Sequence, residues 1–374
     1  MIKKYAQFIA EKLGVPEGNI EAAEELLDII LEILDEDITI FADKGNKLSN
    51  NLKLDMKIGE LLISTVDFEL VANPHPMAKN PVITGMSVAI PPAKREGNAL
   101  IFDKNKLGNA KMKMMVIARP NATMRDLKAA IEEEKARYTG ILSHELKHIY
   151  DKFMIGKELV GETADYYSWS RVKTGFGPID KVIYHMYVMS RSENLVRPSE
   201  IAGELKKAKV KKSEFMSFLE STSLYETLKE IKNDSAVKLK AQLLEDMPEI
   251  RNLYEDIPEG ETDENIAENV LNMTYKIIVE ESLEAAENIL GLANPLMVML
   301  GRIKDEDVEI FNKLISKRRF NSGYEYFDKT MEAMAYQAGI VIKKIGKLYD
   351  LCEDDSATMG ANIIKGTPIP KIGK

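Results

Sequence analysis

The chain has 374 residues, of which 45% are apolar and 30% charged, with a formal net charge of −9. That length suits two or three packed units, and the composition is that of a globular rather than a disordered protein. The acidity excludes nucleic acid as a default partner, since phosphate backbones are bound by clustered Lys and Arg, and the single Cys352 excludes an internal disulfide framework.

Residues 3–36 carry a helical pattern, with Leu26, Leu27, Ile29, Ile30, Ile33 and Leu34 recurring among acidic residues. Asp43 to Asn46 and Ser49 to Asn51 read as turn and loop. The period then changes to two: Val66, Phe68 and Leu70 alternate with Asp67 and Glu69, as in a half-buried strand. Runs at 82–90, 99–102 and 112–118 extend this to a small, mostly antiparallel sheet. Thr123 and Asp126 have capping-box spacing and predict a helix from there through Lys152, with a break or kink near Gly140. Beyond about residue 158 the chain reads as helix and loop, with helices at 178–190, 199–210, 224–245, 264–292 and 325–350.

The loop rich in Pro, Glu and Asp at 247–263 marks a boundary. The fold class expected is therefore α+β. Residues 1–50 form an N-terminal helical segment, 51–246 the α+β unit, and 264–374 an all-helical C-terminal domain with a loose tail. No stretch approaches the roughly 18 uncharged apolar residues of a membrane span, and Glu11 and Lys12 interrupt any leader, so a cytoplasmic product without an anchor is expected.

The chemistry concentrates at His144-Glu145-Leu146-Lys147-His148. Four residues apart on a helix, His144 and His148 share one face and can grip one ion. Glu145 sits where its carboxylate reaches a metal-bound water rather than the metal. This is the H-E-x-x-H arrangement of zinc peptidases, in which zinc lowers the pKa of its water to about 7 and the Glu takes the proton. Leu142, Leu146, Ile149 and Phe153 form an apolar stripe beside the histidine face. Asp151 either accepts the spare N–H of His148 or belongs to an exposed face with Lys147 and Lys152.

A catalytic zinc site needs a third protein ligand. Glu193, Glu200 and His185 are the candidates; Ser190 and Glu193 also have capping-box spacing, which would direct Glu193 to backbone N–H groups instead. Tyr166, Tyr167, Tyr184, His185 and Tyr187 are near enough in sequence to help a developing oxyanion, with Tyr184 and His185 placed first. An extended substrate could add to a sheet edge at 82–90 or at 112–119. The basic run Lys206, Lys207, Lys209, Lys211 and Lys212 reads as a solvated helix face, and His75 as a loop residue.

His144 to Asp151, followed by Ser192-Glu193 with Arg197 and Glu200, resembles the gluzincins, and more narrowly the zincin-like metallopeptidases encoded by bacteriophages. The resemblance covers roughly 115–205. It implies a zincin-like catalytic unit, Zn2+ on His144, His148 and Glu193, Glu145 as general base, and Arg197 and Glu200 as supporting residues. The second motif departs from the family in having Val196 where Ala is usual and Pro198 within the segment. The resemblance also implies a polypeptide substrate, with phage particle proteins among the partners and host cytoplasm or virion as the location. The rival it raises is a virion-associated structural protein that keeps the fold without turnover.

Overall fold

A computed structural model describes residues 15–41, 47–96, 99–102, 108–159, 176–253, 260–279 and 320–354. Helix α1 (Asn19–Ile33) begins later than the 3–36 pattern; of the residues before it, 3–14 lie outside the described ones. Pro16 and a left-handed Gly18 bring the chain into its first turn. Strands β1 (Lys47–Ile58), β2 (Leu61–Pro74) and β3 (Val82–Ala89) follow, then β4 (Lys94–Glu96), β5 (Ala99–Ile101) and β6 (Asn109–Ala118).

The main sheet has the order β1-β2-β6-β3. It is mixed, because its central pair, β2 with β6, is parallel while the two outer pairs are antiparallel. Most pairings are antiparallel, as expected; the parallel crossover, which places β6 inside the sheet and leaves β3 at an edge, was not. Ser49, Asn50 and Asn51, expected in a loop, belong to β1 and pair with Glu69, Phe68 and Asp67. Asn51 offsets its low strand propensity by donating through its side chain to Asp67. A second sheet, β4-β5-β7, is completed by β7 (Lys157–Leu159), a strand in a region read as helix and loop.

Helices α2 (Met124–Glu133) and α3 (Lys135–Ile155) come next. The capping box at the start of α2 forms as expected: Thr123 Oγ1 accepts from the Asp126 N–H, and Asp126 Oδ2 accepts from the Thr123 N–H. The break falls at Glu134, not Gly140, and α3 runs unbroken through Gly140. Then follow α4 (Gly177–Val188), α5 (Arg191–Ala208), α6 (Phe215–Ser221), α7 (Ser223–Asn233), α8 (Ala236–Glu245), α9 (Met247–Leu253), α10 (Asp263–Val279) and α11 (Gly323–Gly346). The helix expected over 224–245 is therefore two, divided at Asp234 and Ser235, where Ser235 caps α8. The segment expected as loop at 247–263 begins as helix α9. The far half of the 264–292 helix and the tail from 355 lie outside the described residues.

One core lies between the inner face of the main sheet and helices α1 to α3. It includes Leu26, Leu27 and Ile30, Met56, Phe68 and Met112, and the α3 stripe Leu142, Leu146, Ile149 and Phe153. Full burial of each such side chain contributes about 1.5–3 kcal/mol relative to exposure, so α3 is anchored by the face adjacent to its histidines. A second core gathers Val15 and Ile20 with residues from Phe176 to Leu348 and joins α4 and α5 to α7, α8, α10 and α11, so side chains before and after 247–263 pack together. No helix among the described residues is long and apolar enough to cross a membrane.

Candidate metal centre

The two cores meet where α3 crosses α5. A Cβ at Gly140 would come within 2.6 Å of the Glu200 carbonyl oxygen, and one at Gly203 within 3.0 Å of the Gly140 Cα. Glycine at 140 thus serves close approach of two helices rather than a kink. That approach brings His144 and His148 of α3 against Glu193, Arg197 and Glu200 of α5. The last three recur at i, i+4 and i+7, and α5 keeps them on one face although Pro198 removes one backbone donor from within the helix.

The imidazole Nε2 atoms of His144 and His148 are 3.1 Å apart. Glu193 places Oε2 at 3.2 Å from His144 Nε2 and Oε1 at 3.3 Å from His148 Nε2. Among the described residues, these three form the one group of His, Cys, Asp or Glu whose ligand atoms converge. An ion about 2.0–2.1 Å from each of three tetrahedral ligands separates them by about 3.3 Å. Each imidazole is at about that edge from its nearer Glu193 oxygen, a different oxygen for each, so two nitrogens and one carboxylate of this set are of a kind and spacing that could hold a zinc-sized ion. Ser190 stands at the helix N-cap but makes no side-chain cap bond, and Glu193 turns to the histidines rather than to the backbone.

Arg197 forks between the two carboxylates, donating to Glu193 Oε2 at 3.1 Å and to Glu200 Oε2 at 3.0 Å. Glu200 Oε2 also lies 3.3 Å from His144 Nδ1. That nitrogen is buried without a properly aligned hydrogen bond, so the contact is one of charge rather than direction. Glu200 therefore stands behind His144 and not among the converging atoms. Asp151 pairs with Lys147, which settles its two readings in favour of the helix-face ion pair.

Burial opposes charge on His144, but Glu193 and Glu200 outweigh it and push the imidazole up to about 9. Burial likewise opposes ionisation of Glu200, yet His144 and Arg197 hold its carboxyl at about 2. Glu193 is held well below the usual carboxylate range against the same burial penalty, by His144, His148 and Arg197. These directions set the sign of this cluster's contribution in metal-free protein. The His144 contribution is fully present below its ordinary 6.5 and is lost as pH rises through about 9. The Glu200 contribution is present above its ordinary 4.5 and is lost as pH falls through about 2. Glu204 of α5, pushed up to about 8 by burial, adds a loss of the same sign above its ordinary 4.5, so the melting temperature of the metal-stripped protein is expected to fall from pH 7 to 9. A melting temperature that kept rising from pH 7 to 9 would contradict this charge arrangement.

Glu145, next to the first histidine, does not join the converging atoms. Its Oε2 accepts the N–H of Val88 on β3 at 3.3 Å, so the carboxylate hangs between α3 and the sheet edge. Burial raises its pKa, opposed chiefly by the charges of His144 and His148. Tyr187 of α4 bonds through its phenol to Glu193; burial, then the Glu193 charge, pushes that phenol far up and keeps it protonated. The Glu145 charge also raises the Tyr187 phenol.

The structure does not bring His185 to this site. It is buried in the second core, with Nε2 3.9 Å from Glu230 and Nδ1 3.9 Å from Asp234, and burial lowers its pKa. At its place on α4 the ring turns toward α7. Tyr184 stands largely exposed on α4, its ring centroid 6.4 Å from that of Tyr187. Tyr166 and Tyr167 lie outside the described residues, and His75 is an exposed turn residue. In the basic run, Lys206 pairs with Glu21, Lys207 with Glu24 and Lys212 with Asp354.

Sequence reasoning missed the Val88 N–H, because a backbone donor on an edge strand leaves no mark on residue type. Tyr187 carried a usable signal: it shares its helix with Tyr184 and precedes Glu193 by six residues. Comparison with protein-family models, curated proteins and solved structures gives no match.

Proposed function

We propose that this chain is a zinc-dependent peptidase of the zincin type, with His144, His148 and Glu193 as ligands and Glu145 as general base. The observation that carries the reading is the convergence of two imidazole Nε2 atoms and one carboxylate at tetrahedral spacing. Zinc held there would supply a Lewis acid and a water acidic enough to be deprotonated near neutral pH.

Each remaining role falls to a residue of this chain. Glu145, made more basic by burial, takes a proton from the attacking water and returns it to the leaving amine. Tyr187, kept protonated, would turn from Glu193 to donate to the developing oxyanion, the role expected of Tyr184 and His185. Arg197 and Glu200 orient Glu193 and His144 from behind. An extended polypeptide adds to β3, since β6 is enclosed by its neighbours and β3 is the edge strand beside Glu145. In this reading the zincin-like unit contains the main sheet with α3 and α5, and the helices beyond form a C-terminal extension in a cytoplasmic protein.

A second reading is a phage virion-associated structural protein that retains the fold without turnover. It is favoured by one observation: Glu193 and Glu200 pair both with the histidines and with the buried Arg197, so the cluster's charges are matched among its own side chains. Zinc analysis with hydrolysis of a casein-type substrate separates the two. The peptidase is expected to carry about one zinc per chain, to lose cleavage on chelation and to regain it with added zinc. Zinc-loaded protein that cleaves neither this substrate nor particle proteins would leave the structural reading in its place.

A further inference from the structure

One wholly buried polar side chain reaches α3 from the far end of the sequence. Asn19 is 0% exposed, and its Nδ2 donates twice to one residue, to the Ser143 carbonyl oxygen at 2.9 Å and to Ser143 Oγ at 2.7 Å. Ser143 immediately precedes His144, and its carbonyl opens the helical turn that contains both His144 and Glu145.

The position of Asn19 is itself fixed. Gly18 caps α1 with φ 76°, and a Cβ there would lie 2.2 Å from the Lys57 carbonyl oxygen, which is backbone. The Gly59 N–H donates to the Glu17 carbonyl at 2.8 Å, so the start of α1 is fastened to the β1–β2 turn. From the other side α5 presses on the same residue: a Cβ at Gly203 would sit 3.1 Å from Ser143 Cβ. Residue 143 is therefore held between α1 and the helix that carries Glu193.

Stability alone gives a poor account of Asn19. Its Oδ1 is buried without a partner, and an unsatisfied buried acceptor costs stability that a leucine of similar size would not. What asparagine provides, and leucine lacks, is a directed pair of bonds at one point on α3.

We propose that Asn19 is a positioning residue, whose two hydrogen bonds to Ser143 set the height and rotation of α3 so that His144, Glu145 and His148 meet Glu193. The inference rests on the metal reading above. It is tested in the full chain by zinc competition with a chromophoric chelator and by the visible absorption spectrum of the cobalt-substituted protein. Asn19→Leu is expected to weaken zinc binding about tenfold, the scale of lost outer-shell support. It should also alter the cobalt spectrum.

Leu26→Ala, a cavity variant elsewhere on α1, measures what loss of packing alone does. A zinc loss in Asn19→Leu no larger than in Leu26→Ala, with a wild-type cobalt spectrum, overturns the proposal and leaves the metal reading standing. Wild-type protein that binds no zinc overturns both. Should Asn19→Leu not fold, Ser143→Ala decides: weaker zinc binding with a changed cobalt spectrum supports the proposal, and wild-type behaviour overturns it.

Discussion

Glu145→Gln is expected to keep zinc at wild-type affinity and to lose peptide hydrolysis by about 10²–10⁴-fold, the range of a removed general base. The two halves of this outcome have separate causes. Glu145 is not among the converging ligand atoms, and glutamine preserves its shape and its ability to accept the Val88 N–H. Metal content should therefore hold. The amide cannot take a proton from water, so turnover should fall in kcat rather than in KM. Steady-state kinetics on zinc-analysed protein measure both halves. Undiminished kcat in zinc-loaded Glu145→Gln would move the base to another residue and remove the central step of the proposed mechanism.

How much of this site could be read in advance depended on the range of the interaction. The His144–His148 spacing is local and maps directly through the helical period, so both residues and Glu145 were legible. Glu193 lies on another helix, and only the family resemblance favoured it over the capping box with Ser190; the folded chain resolves this because α5 is pressed against α3. Gly140 was misread for an instructive reason. A glycine inside a helical pattern signals either a break or a close approach, and only the partner helix with Gly203 decides between them.

Ser49 to Asn51 have loop chemistry yet form strand because β2 offers a complete ladder beside them. The parallel pairing of β2 and β6 requires strands far apart in sequence to meet, which alternation of residue types cannot specify. Asn19 and the Val88 N–H act across 124 and 57 positions respectively, and no local pattern announces either.

Glu193→Ala is expected to weaken zinc binding by more than about a hundredfold, beyond what outer-shell changes usually cost, because a ligand rather than its support is removed. The fold should survive. Arg197 keeps Glu200 at 3.0 Å, and the packing of α3 on α5 does not depend on the carboxylate. Proton competition provides a further check on the assignment.

In the wild type, zinc must displace the proton that Glu193 and Glu200 hold on His144, so affinity should climb with pH until about 9. Removing Glu193 withdraws the first-named of those supports, and burial then draws the imidazole back down. The residual zinc affinity of Glu193→Ala should therefore flatten at a lower pH than in the wild type. Glu200→Gln should share part of that flattening while losing only about 10–100-fold in affinity, since Glu200 acts through His144. Zinc titrations at several pH values distinguish ligand from support by this pair of results. If Glu200→Gln proved the more damaging of the two, the ligand and supporting roles would have to be exchanged.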